Sequence, residues 1–251
     1  MKESSLKNKA QVLLSCILLV IIWQVIAMKV NNPIYLPTVD VVIYNLVDII
    51  KDKDFLMNLG SSLYRTIISF IIALASAILL GLVSAFSNFF RNMLKPINAL
   101  SISIPTMVLV VLSLIWFDKD KAPFIVGIFI VFPILYEGVI SAIHSIDKNI
   151  VQMADIYKVR FVDKFRYIYL KAIKLQIINL LLSTFSLAFK VVIAGEIHGQ
   201  PQYGIGTVIQ YEKMNFNTEA IFAWIIVVAF VSFILDILNK IIIKKNYRWK
   251  N

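Results

Sequence analysis

The chain has 251 residues, 59% of them hydrophobic and only 16% charged, with a formal net charge of +10. A soluble domain of this length carries about 25% charged residues. The deficit, with a mean hydropathy of +0.81, points away from a soluble protein and predicts an all-α polytopic membrane protein. The basic residues sit at the ends of apolar runs, where they set orientation and meet lipid headgroups, so membrane lipid is the expected partner and nucleic acid is not.

The first apolar run, 11–28, follows Lys2, Lys7 and Lys9. It is too long for a signal-peptide core and no small-residue cleavage site follows, so a retained helix is expected. Cys16, the single cysteine, lies within it and leaves no intramolecular disulfide or cysteine-based metal site. Pro37-Thr38 then opens a stretch with Val41, Val42, Leu46 and Ile49 on one helical face and Asp40, Asp48, Asp52 and Asp54 elsewhere. That pattern predicts a surface helix capped by Thr38. Further spans are expected near 62–86, 97–117, 122–143, 172–197 and 221–243, each with about 20 mostly apolar residues, enough to cross a ~30 Å hydrocarbon core. Between the last two, Pro201, Gly204 and Gly206 favour turns over a regular helix. This loop either folds back over a translocation path or is an ordinary connection.

Six spans place both termini on one side. The amino terminus, the 87–95 loop, the stretch 147–174 and the tail hold 17 of the 25 Lys and Arg, against six in the other connections. The bias puts both termini and the 147–174 stretch in the cytoplasm. No internal repeat or linker divides the chain, so one transmembrane domain, 1–251, is expected. The stretch 147–174 interleaves seven Lys or Arg with apolar and aromatic residues at helical spacing. Such a segment between spans is offered to something cytoplasmic.

Catalytic chemistry is sparse. No Gly-rich phosphate loop with a following Lys-Ser or Lys-Thr is present. No Gly-x-Ser-x-Gly elbow or His-Glu helix pair appears either, and His144 and His198 fall on opposite sides of the membrane. Ionisable residues at membrane depth are functional candidates by default. Here they are Glu137, Lys190, Glu196 and Asp236. Asp236 has a bland reading, pairing with Lys240 four residues on. Lys190 and Glu196 are six residues apart, about 240° around a helix, and do not pair directly. Lys190 faces either a hydrated cavity or a carboxylate on another helix, with Glu137 a candidate.

Several short motifs occur in a fixed order: Leu36-Pro37, Ser61-Ser62-Leu63-Tyr64-Arg65, Ile104-Pro105, Phe132-Pro133-Ile134, Ala194-Gly195-Glu196 and Gly204-Ile205-Gly206. Together they resemble the permease subunits of bacterial ABC importers, closest to the branch carrying sulfonates, taurine, nitrate and thiamine precursors. The resemblance implies a type I-like permease fold and a location in the bacterial cell membrane. It also implies a homodimer whose path is lined mainly by spans two to five, with Glu137, Lys190 and Glu196 as path candidates. The implied partners are cytoplasmic ABC ATPase subunits, which carry ATP and Mg while this chain binds no cofactor, and an extracytoplasmic substrate-binding protein. The family signature, Glu-Ala-Ala-x-x-x-Gly followed by Leu-Pro, matches Met153, Ala154, Asp155, Ile156, Tyr157, Lys158 and Val159, then Leu170-Lys171. Only Ala154 and Leu170 agree.

In the family this segment docks into a groove of the ATPase, which implies a coupling role for 147–171 and for Val151, Met153, Ala154, Asp155, Tyr157 and Val159. Val159 at the glycine position predicts a different turn or a continuous bent helix. Ile150, Val151, Ala154, Tyr157 and Val162 are the expected docking face, against the alternative of an interfacial helix without a partner. The implied mechanism is alternating access driven by ATP on the partner. An ion-gradient-driven secondary transporter or channel is the competing reading, with a membrane scaffold third.

Overall fold

The structure is a computed structural model and describes residues 2–246. Among the described residues every regular element is helical, as the composition predicts. The chain divides into two compact units.

The first unit joins the segment up to Leu56 to Val208–Phe230. Helix α1 (Lys2–Val30) contains the expected first span as Gln11–Val30, almost wholly exposed as a lipid-facing helix would be. The chain then folds back on it: Trp23 Nε1 donates to Pro37 O at 3.0 Å and Val39 N to Gln24 Oε1 at 2.8 Å. Helix α2 (Val39–Lys51) is the predicted amphipathic helix. Thr38 occupies its N-cap with extended geometry, yet its side chain makes no cap hydrogen bond. Gln24 takes over that task at Val39. The Thr38 hydroxyl, beside Asp40, holds that carboxyl below the usual carboxylate range. The start of α11 (Thr218–Asn246) belongs to the same unit, with Phe222 against Trp23 and Trp224 stacked on Phe55.

The second unit comprises Met57–Thr207 and the chain from Val231. Helix α3 (Phe55–Phe86) has 32 residues and is about 48 Å long at 1.5 Å per residue, beginning well before the expected span at 62. Helices α4 (Asn88–Ser103) and α5 (Thr106–Trp116) meet at 106°. The expected straight span 97–117 is therefore corrected to a broken one. The cause is Pro105, which lacks an N–H and drives Ile104 into extended geometry, φ −72° and ψ 126°.

Helix α6 (Ala122–His144) packs along α9 (Leu170–Gly199). Leu135 and Val139 of α6 are buried there with Phe70, Ala73 and Ala77 of α3 and with Ile177 and Ala188 of α9. Glycines permit the close approach: a Cβ on Gly195 would stand 2.9 Å from Pro123 Cα, and one on Gly81 2.8 Å from Val139 Cγ1. The fifth span bends by 49° between Phe161–Leu181 and Ser183–Gly199. Among the described residues four helices are long and apolar enough to cross a membrane, and six spans result if each bent pair counts as one. The 198–218 loop carries a helix, α10 (Ile205–Met214), where turns were expected. The Asp236–Lys240 pair lies outside the described side chains.

Candidate functional site

The basic segment folds as a helix–turn–helix. Asp147 caps α7 (Lys148–Ile156), accepting from Asn149 N at 2.9 Å. At the other end Lys158 N donates to Asp155 O and Val159 N to Ala154 O, both at 2.9 Å, which closes a Schellman turn. The left-handed residue of that turn is Lys158, at φ 51°. This corrects the expectation placed on Val159: the turn forms in the usual way, one position earlier, on a lysine where glycine would be cheaper.

After the turn come α8 (Phe161–Lys164) and a π-helical turn, Phe165–Tyr169, which runs into α9. Lys164 pairs with Asp155 and ties α8 back to α7. Phe86, at the end of α3, stacks edge-on against Phe161 at 5.7 Å and Tyr169 at 5.2 Å. The segment is thereby fastened to the end of α3. Replacing Lys158 by Gly removes the left-handed strain, worth about 1–2 kcal/mol. It should raise the thermal midpoint by about 2–8 °C in detergent. Valine at the same position should lower it.

Exposure narrows the residues that could form a docking face. Ala154 is buried and Val151 half-buried, so both belong to the segment's inner side. Ile156 and Tyr157 are 78% and 77% exposed, and with Met153 they form a contiguous apolar face at helical spacing. Asp155 is occupied by Lys164. Ile156 falls outside the expected face because that face is set by Ile150, Val151 and Ala154, of which the last two turn towards the segment's inner side.

A second cluster surrounds Glu196, near the end of α9. Its carboxylate is fully buried and pairs with Arg65 of α3, Nη1 to Oε1 at 2.7 Å. Ser62 Oγ donates to Oε2 at 2.7 Å and Gly206 N at 3.1 Å. Arg65 also donates to Tyr203 O at 2.7 Å, Ile205 N donates to Ser62 Oγ at 2.9 Å, and Gly204 N donates to Asn58 Oδ1 at 3.0 Å. The loop before α10 is thus nailed to α3 and α9 through one carboxylate at a helix N-terminus. Both loop glycines are required by proximity: a Cβ on Gly204 would lie 2.7 Å from the Glu196 carboxyl, and one on Gly206 2.3 Å from Ile193 O and 2.6 Å from Glu196 Cβ. The Ser-Leu-x-Arg, Ala-Gly-Glu and Gly-Ile-Gly motifs, widely separated in sequence, are one structure. Glu196 has no open face towards a path.

Glu137 and Lys190 are both exposed, and they do not pair. Glu137 Oε1 accepts from Asn98 Nδ2 at 2.7 Å instead. Lys190 shares one face of α9 with Asn179, Ser183 and Ser186, a polar stripe at spacings of four, seven and eleven residues. Among the described residues the buried Ser186 hydroxyl has no hydrogen-bond partner.

The chain matches known proteins along most of its length. The family described as "binding-protein-dependent transport system inner membrane component" matches residues 77–246. A putative ABC transporter permease protein of Methanocaldococcus jannaschii is 27% identical over 239 residues, covering 93% of this chain and 89% of the relative. A putative aliphatic sulfonates transport permease protein of Bacillus subtilis is 22% identical, covering 93% and 85%. The taurine transport system permease protein of Escherichia coli is also 22% identical, covering 88% and 82%. With the family match spanning well over half the chain, this protein belongs to the inner-membrane components of binding-protein-dependent transport systems, and is the multi-pass permease subunit of an ABC importer.

Proposed function

We propose that this permease carries a small sulfonated or otherwise anionic organic solute into the cytoplasm, as a homodimer with both termini cytoplasmic. An extracytoplasmic binding protein delivers the solute. Cytoplasmic ATPase subunits, holding ATP and Mg, engage the 147–171 segment through Met153, Ile156 and Tyr157. The observation that carries the coupling role is the pair of 77–78% exposed apolar side chains on a capped helix that the rest of the segment holds rigid. The substrate class is supported by the printed activities of two relatives. It is supported also by Lys190, whose charge at membrane depth is tolerable only where water, a solute or a partner meets it. The polar stripe around Lys190 lines the path between subunits in this reading.

Deleting the gene and measuring uptake of labelled taurine and a linear alkanesulfonate in whole cells tests the substrate class. Loss of uptake of at least one, restored by the wild-type chain, is expected. Unchanged uptake of both, with a different solute affected, would overturn the class while leaving the importer.

A further inference from the structure

A polar cavity lies between α4 and α6, on the side that the charge count assigns to the cytoplasm. Its volume is about 260 Å³, below the 300–1,000 Å³ typical of drug-sized ligands. Asn88, Arg91, Asn92 and Lys95 line one wall. Their spacing of three, four and seven residues places them on one face of α4. Tyr136 and Glu137 of α6 line the other. Tyr136 is almost fully buried and its hydroxyl is spent on Ser84 Oγ at 3.0 Å, so it forms a fixed wall.

The charges in this cavity do not neutralise one another. Among the described residues no ion pair engages Lys95, and none joins Arg91 or Lys95 to Glu137. Arg91 Nη1 is 3.0 Å from His144 Nε2, and His144 Nδ1 is 2.9 Å from Ile140 O. A carbonyl only accepts, so Nδ1 carries the proton and Nε2 accepts from Arg91. The remaining guanidinium N–H groups are left for the cavity. Glu137 uses one oxygen on Asn98, and its other oxygen has no partner among the described residues. Asn98 itself is 4% exposed, with Oδ1 buried and unpartnered.

Glu137 lies seven residues from the end of α6, about 10 Å into the span. Arg91 and Lys95 on one wall and the Glu137 carboxylate on the other therefore face one cavity as unpaired opposite charges. From this we infer that the cavity binds a small zwitterion, its compact oxyanion held by Lys95, Arg91 and the α4 amides, its ammonium held by Glu137. Charge-assisted hydrogen bonds of this kind are about twice as strong as neutral ones. A lone anion would meet the Glu137 carboxylate and bind less well. The inference rests on the importer reading for the side of the membrane alone. Two sources supply this chemistry: a free amino-sulfonate arriving as cargo, and the ethanolamine phosphate headgroup of an inner-leaflet lipid.

The test uses the full-length permease with its ATPase partner in nanodiscs of phosphatidylcholine and phosphatidylglycerol, without binding protein or ATP. Taurine and ethanesulfonate, which lacks the ammonium, are titrated by calorimetry. Taurine should bind at least tenfold more tightly than ethanesulfonate, and Lys95→Gln and Glu137→Gln should each weaken it at least tenfold while Lys95→Arg retains it. If taurine does not bind, phosphatidylethanolamine is added to the discs. A rise in thermal midpoint that is lost in Glu137→Gln would support the same site with a lipid headgroup as its source. No binding of taurine and no effect of the lipid overturns the inference. Equal binding of taurine and ethanesulfonate by the wild type, a comparison that needs no variant to fold, also overturns it. ATP-driven uptake in the same preparation reports separately on the importer reading.

Discussion

Replacing Ile156 and Tyr157 together by Asp should abolish retention of the ATPase subunits and, with it, ATP-driven uptake. The two side chains are 78% and 77% exposed, so the permease does not need them for its own packing. Burying each in a partner groove is worth about 1.5–3 kcal/mol. An unpaired carboxylate in that groove adds a further penalty. Two such changes amount to far more than a hundredfold loss of affinity at 1.4 kcal/mol per tenfold. The check is co-purification of the ATPase with the variant, alongside an unchanged thermal midpoint of the permease. Retention of the complex with full uptake would show that this face is not the docking face. Ala154→Asp is a poor substitute, because Ala154 is buried against the segment's inner side and a carboxylate there has no room or partner. That change would damage the segment whether or not a partner binds there.

Glu196→Ala should cost about 3–5 kcal/mol, the loss expected when one member of a buried ion pair is removed and the other is stranded. Arg65 would keep only Tyr203 O, while Ser62 Oγ and Gly206 N would lose their acceptor. The start of α10 would come free of α3 and α9. Arg65→Ala should cost a similar amount, and the double change less than the sum of the two, because the second substitution removes a group already stranded. Thermal unfolding of the four proteins in one detergent measures the coupling. Strict additivity would mean that the pair does not hold the loop.

What was legible in the sequence was whatever depends on a local period or on long apolar runs. The spans, the amphipathic α2 and the capped helix at the basic stretch all leave such traces. Pro105 stands within a motif, and its consequence, a 106° break between α4 and α5, follows from the missing N–H, whereas apolar length alone suggests a straight span. Arg65 and Glu196 were noticed separately. They are 131 residues apart, and no periodicity joins residues at that separation. The left-handed turn at Lys158 leaves no trace in the sequence, because lysine gives no hint of positive φ and Val159 at the glycine position points instead to a different turn or a bent helix. Helix α10 was missed for a related reason. Its glycines suggest turns, whereas Gly206 is there because the α9 backbone at Ile193 O, and then Glu196 Cβ, come too close for a side chain.

The central claim, an importer powered from outside this chain, is tested most directly in proteoliposomes holding the permease, its ATPase subunits and the substrate-loaded binding protein. The account predicts solute accumulation that requires ATP inside the cytoplasmic-facing compartment and stops in the Ile156→Asp, Tyr157→Asp variant. Accumulation by permease-only proteoliposomes under a proton or sodium gradient would contradict it, and would identify a secondary transporter instead.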